Sequence, residues 1–402
     1  MPIRFLLLPP LLFLASFAAQ AQRPFRVLHA FGNGKDGAGV YDSVTLDTNG
    51  NVYGTASGGG VHKAGIAFRL NPGSGGHWRE AVLHVFGSRQ HDGEGPLGGL
   101  ILDPAGNVFG TTQLGGTYDA GTVFELALGM HGWTEMVLYN FTDHDLACCP
   151  WGNLVWDTSG NLYGTGDSAF ELSPRSERWK ETILHNFTGK NGDGLAPYAG
   201  PIRDAAGNLY GTTMHGGGGG CGAGCGTAWE LSPPSSETQG WTEHILHAFG
   251  VGDDLAFPGL GQLAMDQHGN LYGTTVTSNE WGAVYKLTRV SGGPGEAEIW
   301  QESIPYNFTG GSDGALPEGV ILDKSGNLYG TTGSGGAYGE GVVFKLSPQA
   351  DGKWNYTLLH TFNGQDGAAP VGNLTFGPDG KLYGTTSIGG TYGGGVVFQL
   401  TP

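Results

Sequence analysis

Histidine, carboxylate, cysteine and tryptophan side chains recur in this chain at spacings that invite a chemical reading. A Leu-His-x-Phe pattern places His29, His84, His185, His247 and His360 at equivalent positions, with Tyr139 and Tyr306 standing there in two further copies. Imidazoles in such number would suit a metal. They fall one per copy, which keeps them apart, and tyrosine substitutes for them, so packing or a satisfied hydrogen bond is expected. Asp36, Asp92, Asp193, Asp313 and Asp366 each precede a glycine, and Asp143, Asp145, Asp253 and Asp254 lie in less regular copies. A ring of carboxylates near a channel mouth would take Ca²⁺ or a hydroxyl-rich ligand. No segment has the dense alternation of oxygen donors that a calcium loop needs, and Asp-Gly is good turn chemistry. No metal site or cofactor is therefore assigned, and Ca²⁺ stays an unsupported option.

Cys221 and Cys225 flank Gly222-Ala223-Gly224 and are expected to form a local disulfide. A bond between the adjacent Cys148 and Cys149 would be strained, so their pairing is open. Neither pair has the Cys-x-x-Cys spacing of a four-thiolate zinc site. There is no Gly-x-Ser-x-Gly elbow, no His-Glu-x-x-His and no phosphate loop, so no catalytic residue is assigned. Function is grafted where a scaffold breaks its symmetry. The third copy runs almost straight through Gly164–Phe170, beside the atypical segment Asp143-His144-Asp145-Leu146-Ala147-Cys148-Cys149-Pro150-Trp151. The fifth carries Ser278-Asn279-Glu280-Trp281 in place of a Gly-Gly loop. The candidate binding residues are thus Asp143, His144, Asp145, Trp151, Asp167, Glu280 and Trp281, a mixture of acids and aromatics that suits sugars.

The elements that must position these residues follow from a repeat. Tyr53, Phe109, Tyr163, Tyr210, Tyr272, Tyr329 and Tyr383 are each followed by Gly-Thr, at successive spacings of 56, 54, 47, 62, 57 and 54 residues. One copy shows the parts: Gly98-Gly99-Leu100-Ile101-Leu102, the turn Asp103-Pro104-Ala105-Gly106-Asn107, Val108–Thr112, a glycine-rich loop, Gly121–Leu126, and Trp133–Phe141. Four antiparallel strands in about 55 residues make one propeller blade. The chain after residue 21 starts with a fourth-strand sequence, Arg26–Phe31, and ends on a third-strand sequence, Val396–Leu400. The N-terminal strand therefore completes the last blade, closing an all-β, seven-bladed propeller over residues 22–402. Pro305 cannot donate to a ladder, which puts the fourth strand at the outer edge and the Gly-Gly-Leu strand at the axis.

The pattern Asp-x-x-Gly-Asn-Leu-Tyr-Gly-Thr-Thr, a Gly-Gly loop, Gly-x-Val-Phe-x-Leu and Trp-x-x-x-x-Leu-His-x-Phe resembles the tandem repeat of secreted bacterial GloVer-type proteins, the "choice-of-anchor" family. The resemblance covers nearly all of the chain after residue 21 and implies export and a repeat fold, with no established activity.

Composition agrees with that outline. Arg4, an apolar run and Ala19-Gln20-Ala21 read as a cleavable signal peptide over residues 1–21. No later segment reads as a membrane span, and Gln399-Leu400-Thr401-Pro402 offers no hydrophobic anchor, so no membrane insertion is expected after cleavage. Seventy-seven glycines sit at fixed places between β-type runs, and the net charge of −17 argues against nucleic acid as a partner. The expected role is an extracellular binding or interaction scaffold, for a glycan, cell-envelope polymer or extracellular protein. The alternatives are a propeller enzyme acting on polysaccharide and a purely structural surface protein.

Overall fold

The computed structural model describes residues 24–142, 149–176, 178–236, 238–250, 255–277, 281–290 and 299–402. The expected signal peptide lies outside them. Seven antiparallel sheets form the ring, six of them ordered from an inner strand to an outer one in chain order, and the seventh closed by the N-terminal strand. The second blade is typical: Ile101–Leu102, Val108–Thr112, Thr122–Gly129 and Gly132–Asn140. The outer strand of the fifth blade, Ile299–Asn307, pairs on one side only, so Pro305 does stand at an edge. In the last blade Phe25–Ala30 pairs antiparallel with Val396–Leu400, the two ends of the chain completing one sheet.

The Tyr-Gly-Thr tripeptide divides the labour of holding a blade. Its tyrosine hydroxyl donates to the Asp of the preceding turn, as in Tyr53 to Asp47, Tyr163 to Asp157 and Tyr272 to Asp266, each at 3.2 Å. That Asp also accepts backbone N–H groups of its own turn, which keeps the hairpin closed. The first threonine reaches sideways: Thr55 donates to the Gly98 carbonyl and Thr165 to the Ala199 carbonyl, both at 3.0 Å, tying the second strand to the inner strand of the next blade.

The glycine between them is a seat. A Cβ on Gly54 would lie 2.6 Å from the Phe68 ring, and one on Gly164 would lie 2.5 Å from the Phe170 ring. The third-strand aromatic therefore rests directly on glycine. Its other side takes an aromatic from the previous blade's outer strand. Phe31 meets Phe68, Phe86 meets Phe124, Phe141 meets Phe170, and Phe187 meets Trp229. Phe249 on Tyr285, Phe308 on Phe344 and Phe362 on Phe398 complete the ring, with centroid separations of 4.8 to 5.2 Å throughout. Each ring pair is buried, and each adds about 0.5–1.5 kcal/mol beyond its area term. One further device recurs. The outer strand slips register at Leu28, Leu83, Leu138, Leu184, Leu246 and Leu359, a bulge that buries the leucine and re-aims the histidine or tyrosine after it toward the next blade.

Gly110→Ala should lower the urea midpoint by an amount worth about 1–3 kcal/mol, because the new methyl has to displace the Phe124 ring. Gly240→Ala, in open space, should stay within about 0.5 kcal/mol. Equal effects of the two substitutions would remove the seat argument.

Candidate functional site

Seven inner strands converge on the axis, and the residue entering each sets how crowded it becomes. In blade order these residues are Ser43, Gly99, Asn153, Gly200, Gln262, Gly319 and Asn373. Polar side chains alternate with glycine, so the large residues occupy space the glycines leave. A Cβ on Gly99 would collide with Asn153 Oδ1 and the Ser43 carbonyl at 2.8 Å, and one on Gly319 would overlap the Asn373 amide. Asn153 donates to Ser43 Oγ at 3.1 Å and to Gln262 Oε1 at 3.2 Å. Gln262 donates to the Pro201 carbonyl at 3.1 Å, and Asn373 donates to the Gln262 carbonyl at 3.0 Å. These hydrogen bonds cross the axis and form a polar floor.

Above that floor is a cavity of about 410 Å³. Tyr41, Leu97, Trp151, Tyr198, Leu260 and Val371 line it from six blades, joined by Gln113 and by two carboxylates, Asp42 and Glu318. The Trp151 and Tyr198 rings lie 4.9 Å apart at 43°. Tyr41, Trp151 and Leu260 are exposed. The residue just before the axial position is Gly98, Gly152, Ala199, Gly261 or Gly372 in five blades, where backbones touch. In the first and sixth blades it is Asp42 and Glu318. Asp42 accepts from the Ser43 N–H at 2.5 Å and the Gly99 N–H at 3.0 Å, while burial pushes its carboxyl above the usual range. Glu318 differs: its Oε2 is buried with no hydrogen-bond partner, and burial pushes its pKa up to about 7.

The structure places the residues singled out from the sequence in separate locations. Trp151 lines the cavity. Asp167 is exposed in the two-residue connection between the second and third strands of the third blade. Trp281 lies over Gly310 at the fifth and sixth blades and does not line the cavity. Asp143, His144, Asp145 and Glu280 lie outside the described residues, as does Cys148. Cys221 and Cys225 form the expected disulfide. The cavity acids were legible in principle: Tyr41-Asp42-Ser43-Val44 and Pro317-Glu318-Gly319-Val320 put a carboxylate where the Gly-Gly-Leu frame has its first glycine.

The Asp-Gly acids do not ring the mouth. They turn back to the outer strands, where each blade junction assembles a second constellation. His84 Nε2 lies 3.1 Å from Asp92 and 3.8 Å from Glu135 of the next blade. His185 lies 3.1 Å from Asp193 and 3.4 Å from Glu243. His29 lies 3.4 Å from Asp36 and 3.8 Å from Glu80. At other junctions Tyr139 donates to Glu181 at 3.0 Å, Tyr306 donates to Asp313 at 3.0 Å, and His360 pairs with Asp366 at 3.0 Å beneath the Phe25 ring. The histidines are thus far from one another, as expected, but His29, His84 and His185 each meet acids from two blades. Burial opposes ionisation of Asp92, yet the hydrogen bonds from His84 and Ser88 outweigh it and hold its pKa at about 2. Burial, reinforced by the neighbouring Asp, pushes Glu80, Glu135 and Glu243 up to about 7.

A carboxyl whose folded pKa of about 7 exceeds its ordinary 4.5 favours folding fully below pH 4.5, and that advantage is lost as pH rises through 7. Glu318→Gln should therefore melt above the parent at pH 8, by on the order of 3 kcal/mol, and match it near pH 4.5. A pH-independent difference in melting temperature would contradict the buried, unpaired carboxyl.

No helix among the described residues is long and apolar enough to cross a membrane. No curated protein matches the sequence. Among solved structures, the PQQ-bound aldose sugar dehydrogenase from Streptomyces coelicolor is similar at a TM-score of 0.45 and 12% identity, over 95% of this chain and 98% of that one. The model of the Gloeobacter/Verrucomicrobia repeat matches residues 16–224 and 218–402, and the chain accordingly belongs to that repeat family.

Proposed function

We propose that this protein is an exported binding scaffold that takes a hydroxyl-rich glycan or cell-envelope polymer at the axial cavity. The observation that carries the reading is the lining itself. Aromatic faces of Tyr41, Trp151 and Tyr198 stand beside the polar groups of Gln113, Asp42 and Glu318 in one concavity. Sugars present both kinds of surface, with C–H faces that stack on aromatic rings and hydroxyls that pair with amides and carboxylates. About 410 Å³ falls within the usual range for a small-molecule site. The crossed amides of Asn153, Gln262 and Asn373 beneath it favour entry from one face, which suits a chain end or a branch more than a threaded polymer. Export is the setting that the N-terminal sequence and the Cys221–Cys225 disulfide support.

The experiment is a glycan array followed by pull-down on insoluble envelope polymers, using the mature protein. Trp151→Ala and Tyr198→Ala should each weaken the strongest interaction about tenfold, the effect of losing one stacked ring. Tyr118→Ala, on an exposed loop outside the cavity, should leave it unchanged. Binding that survives both cavity substitutions, or no binding to any glycan or polymer, would overturn the assignment.

A further inference from the structure

We propose that two blade junctions, His29–Asp36–Glu80 and His185–Asp193–Glu243, are binding sites for a divalent transition-metal ion of the zinc type. Each offers one imidazole nitrogen and two carboxylate oxygens, all within 4.8 Å of one another. A tetrahedral ion with bonds of about 2.0–2.1 Å holds its ligands roughly 3.3–3.4 Å apart. The separations from the imidazole are 3.4 and 3.8 Å at the first junction and 3.1 and 3.4 Å at the second. The ligands are therefore nearly in place without the ion. A nitrogen donor beside two oxygens also favours zinc over calcium, which prefers six to eight oxygens.

Two further observations favour a cation at these junctions. The first is a surplus of buried acceptors: Asp36 Oδ1 and Glu80 Oε1 at one junction and Glu243 Oε1 at the other have no hydrogen-bond donor. Buried polar atoms are ordinarily satisfied, and these carboxylates keep acceptors without a donor, as Glu135 does at the third junction. The second comes from the repeat. The His84–Asp92–Glu135 junction has the same three residues, but there the Arg89 guanidinium pairs with Glu135. Positions 35 and 190, in the corresponding loops, carry lysines whose ammonium groups make no ion pair with these acids among the described contacts. Where the second acid is absent, as at Tyr306–Asp313–Tyr356 and at His360–Asp366–Phe25, the hydroxyl or imidazole suffices for one carboxylate. One molecule thus shows the cluster with a built-in cation, with one acid removed, and twice with two acids and no cation. Each proposed site bridges the outer strands of two blades, so an occupied site would rivet the rim of the ring.

The test is isothermal titration of the chelator-stripped mature protein with ZnCl2 alone. Two equivalents are expected at micromolar or tighter affinity. Glu80→Gln should leave one, Glu80→Gln with Glu243→Gln should leave none, and Arg89→Ala should add a third at the His84 junction. The Glu→Gln changes preserve volume and remove a buried charge, and Arg89 is half exposed, so the variants should fold; circular dichroism checks this. No zinc binding by the parent protein, or a stoichiometry that ignores these substitutions, would overturn the proposal. Because the junctions lie away from the axial cavity, glycan binding by Glu80→Gln should be unchanged, which keeps this result separate from the cavity assignment.

Discussion

The ring depends on one contact made seven times: an aromatic side chain of the third strand lying on the glycine of Tyr-Gly-Thr and capped by an outer-strand aromatic from the blade before. A propeller blade has little core of its own, since a single sheet cannot bury both faces. The Phe31–Phe68 pair and its six counterparts supply that core between blades, so no blade is complete alone. Closure by Phe25–Ala30 follows from the same logic. Without it the last blade would lack the outer strand that completes its sheet and that carries Phe31 to the first blade.

Crowding at the axis is the second constraint, and it creates the cavity. Seven strands meeting at a point leave room for only some side chains, and the alternation of amide or hydroxyl with glycine resolves this by letting Asn153, Gln262 and Asn373 reach across. The positions one and two residues before are freed from that packing and open upward. Most of them carry small or apolar residues, and the departures, Tyr41-Asp42, Trp151, Tyr198 and Glu318, all face one space. A buried carboxyl without a partner, such as Glu318, lowers the stability of the fold at neutral pH. Retention of such a group in a cavity is typical of binding sites.

The sequence made local contacts legible and concealed those that cross blades. The Cys221–Cys225 bridge spans four residues, and spacing alone identified it. Trp151, singled out because its segment breaks the repeat, lines the axial cavity. Glu318 and Asp42 were overlooked because a carboxylate after Pro or Tyr in a short inner strand looks like ordinary variation until seven such positions are superposed around an axis. The Asp-Gly acids were read as turn residues, which their backbone contacts bear out. Their side chains have a second partner in His29, His84, His185 and His360, six to eight residues upstream, across a turn whose geometry no local propensity encodes.

The period of Tyr-Gly-Thr, the turn chemistry of Asp-x-x-Gly-Asn and the complementary ends of the chain determined by themselves the number of blades, the strand order and the mode of closure. These properties rest on near-neighbour rules: alternation, positive-φ turns and the missing N–H of Pro305. The tertiary structure decided which side chains from different blades share a space. Ring closure brings residues about 110 positions apart, such as Ser43 and Asn153, into hydrogen-bond contact, and sets Glu80 and Glu243 against histidines of the blade before. Sites made at the axis or between blades depend on the twist and spacing of whole sheets, which arise only when all seven pack together.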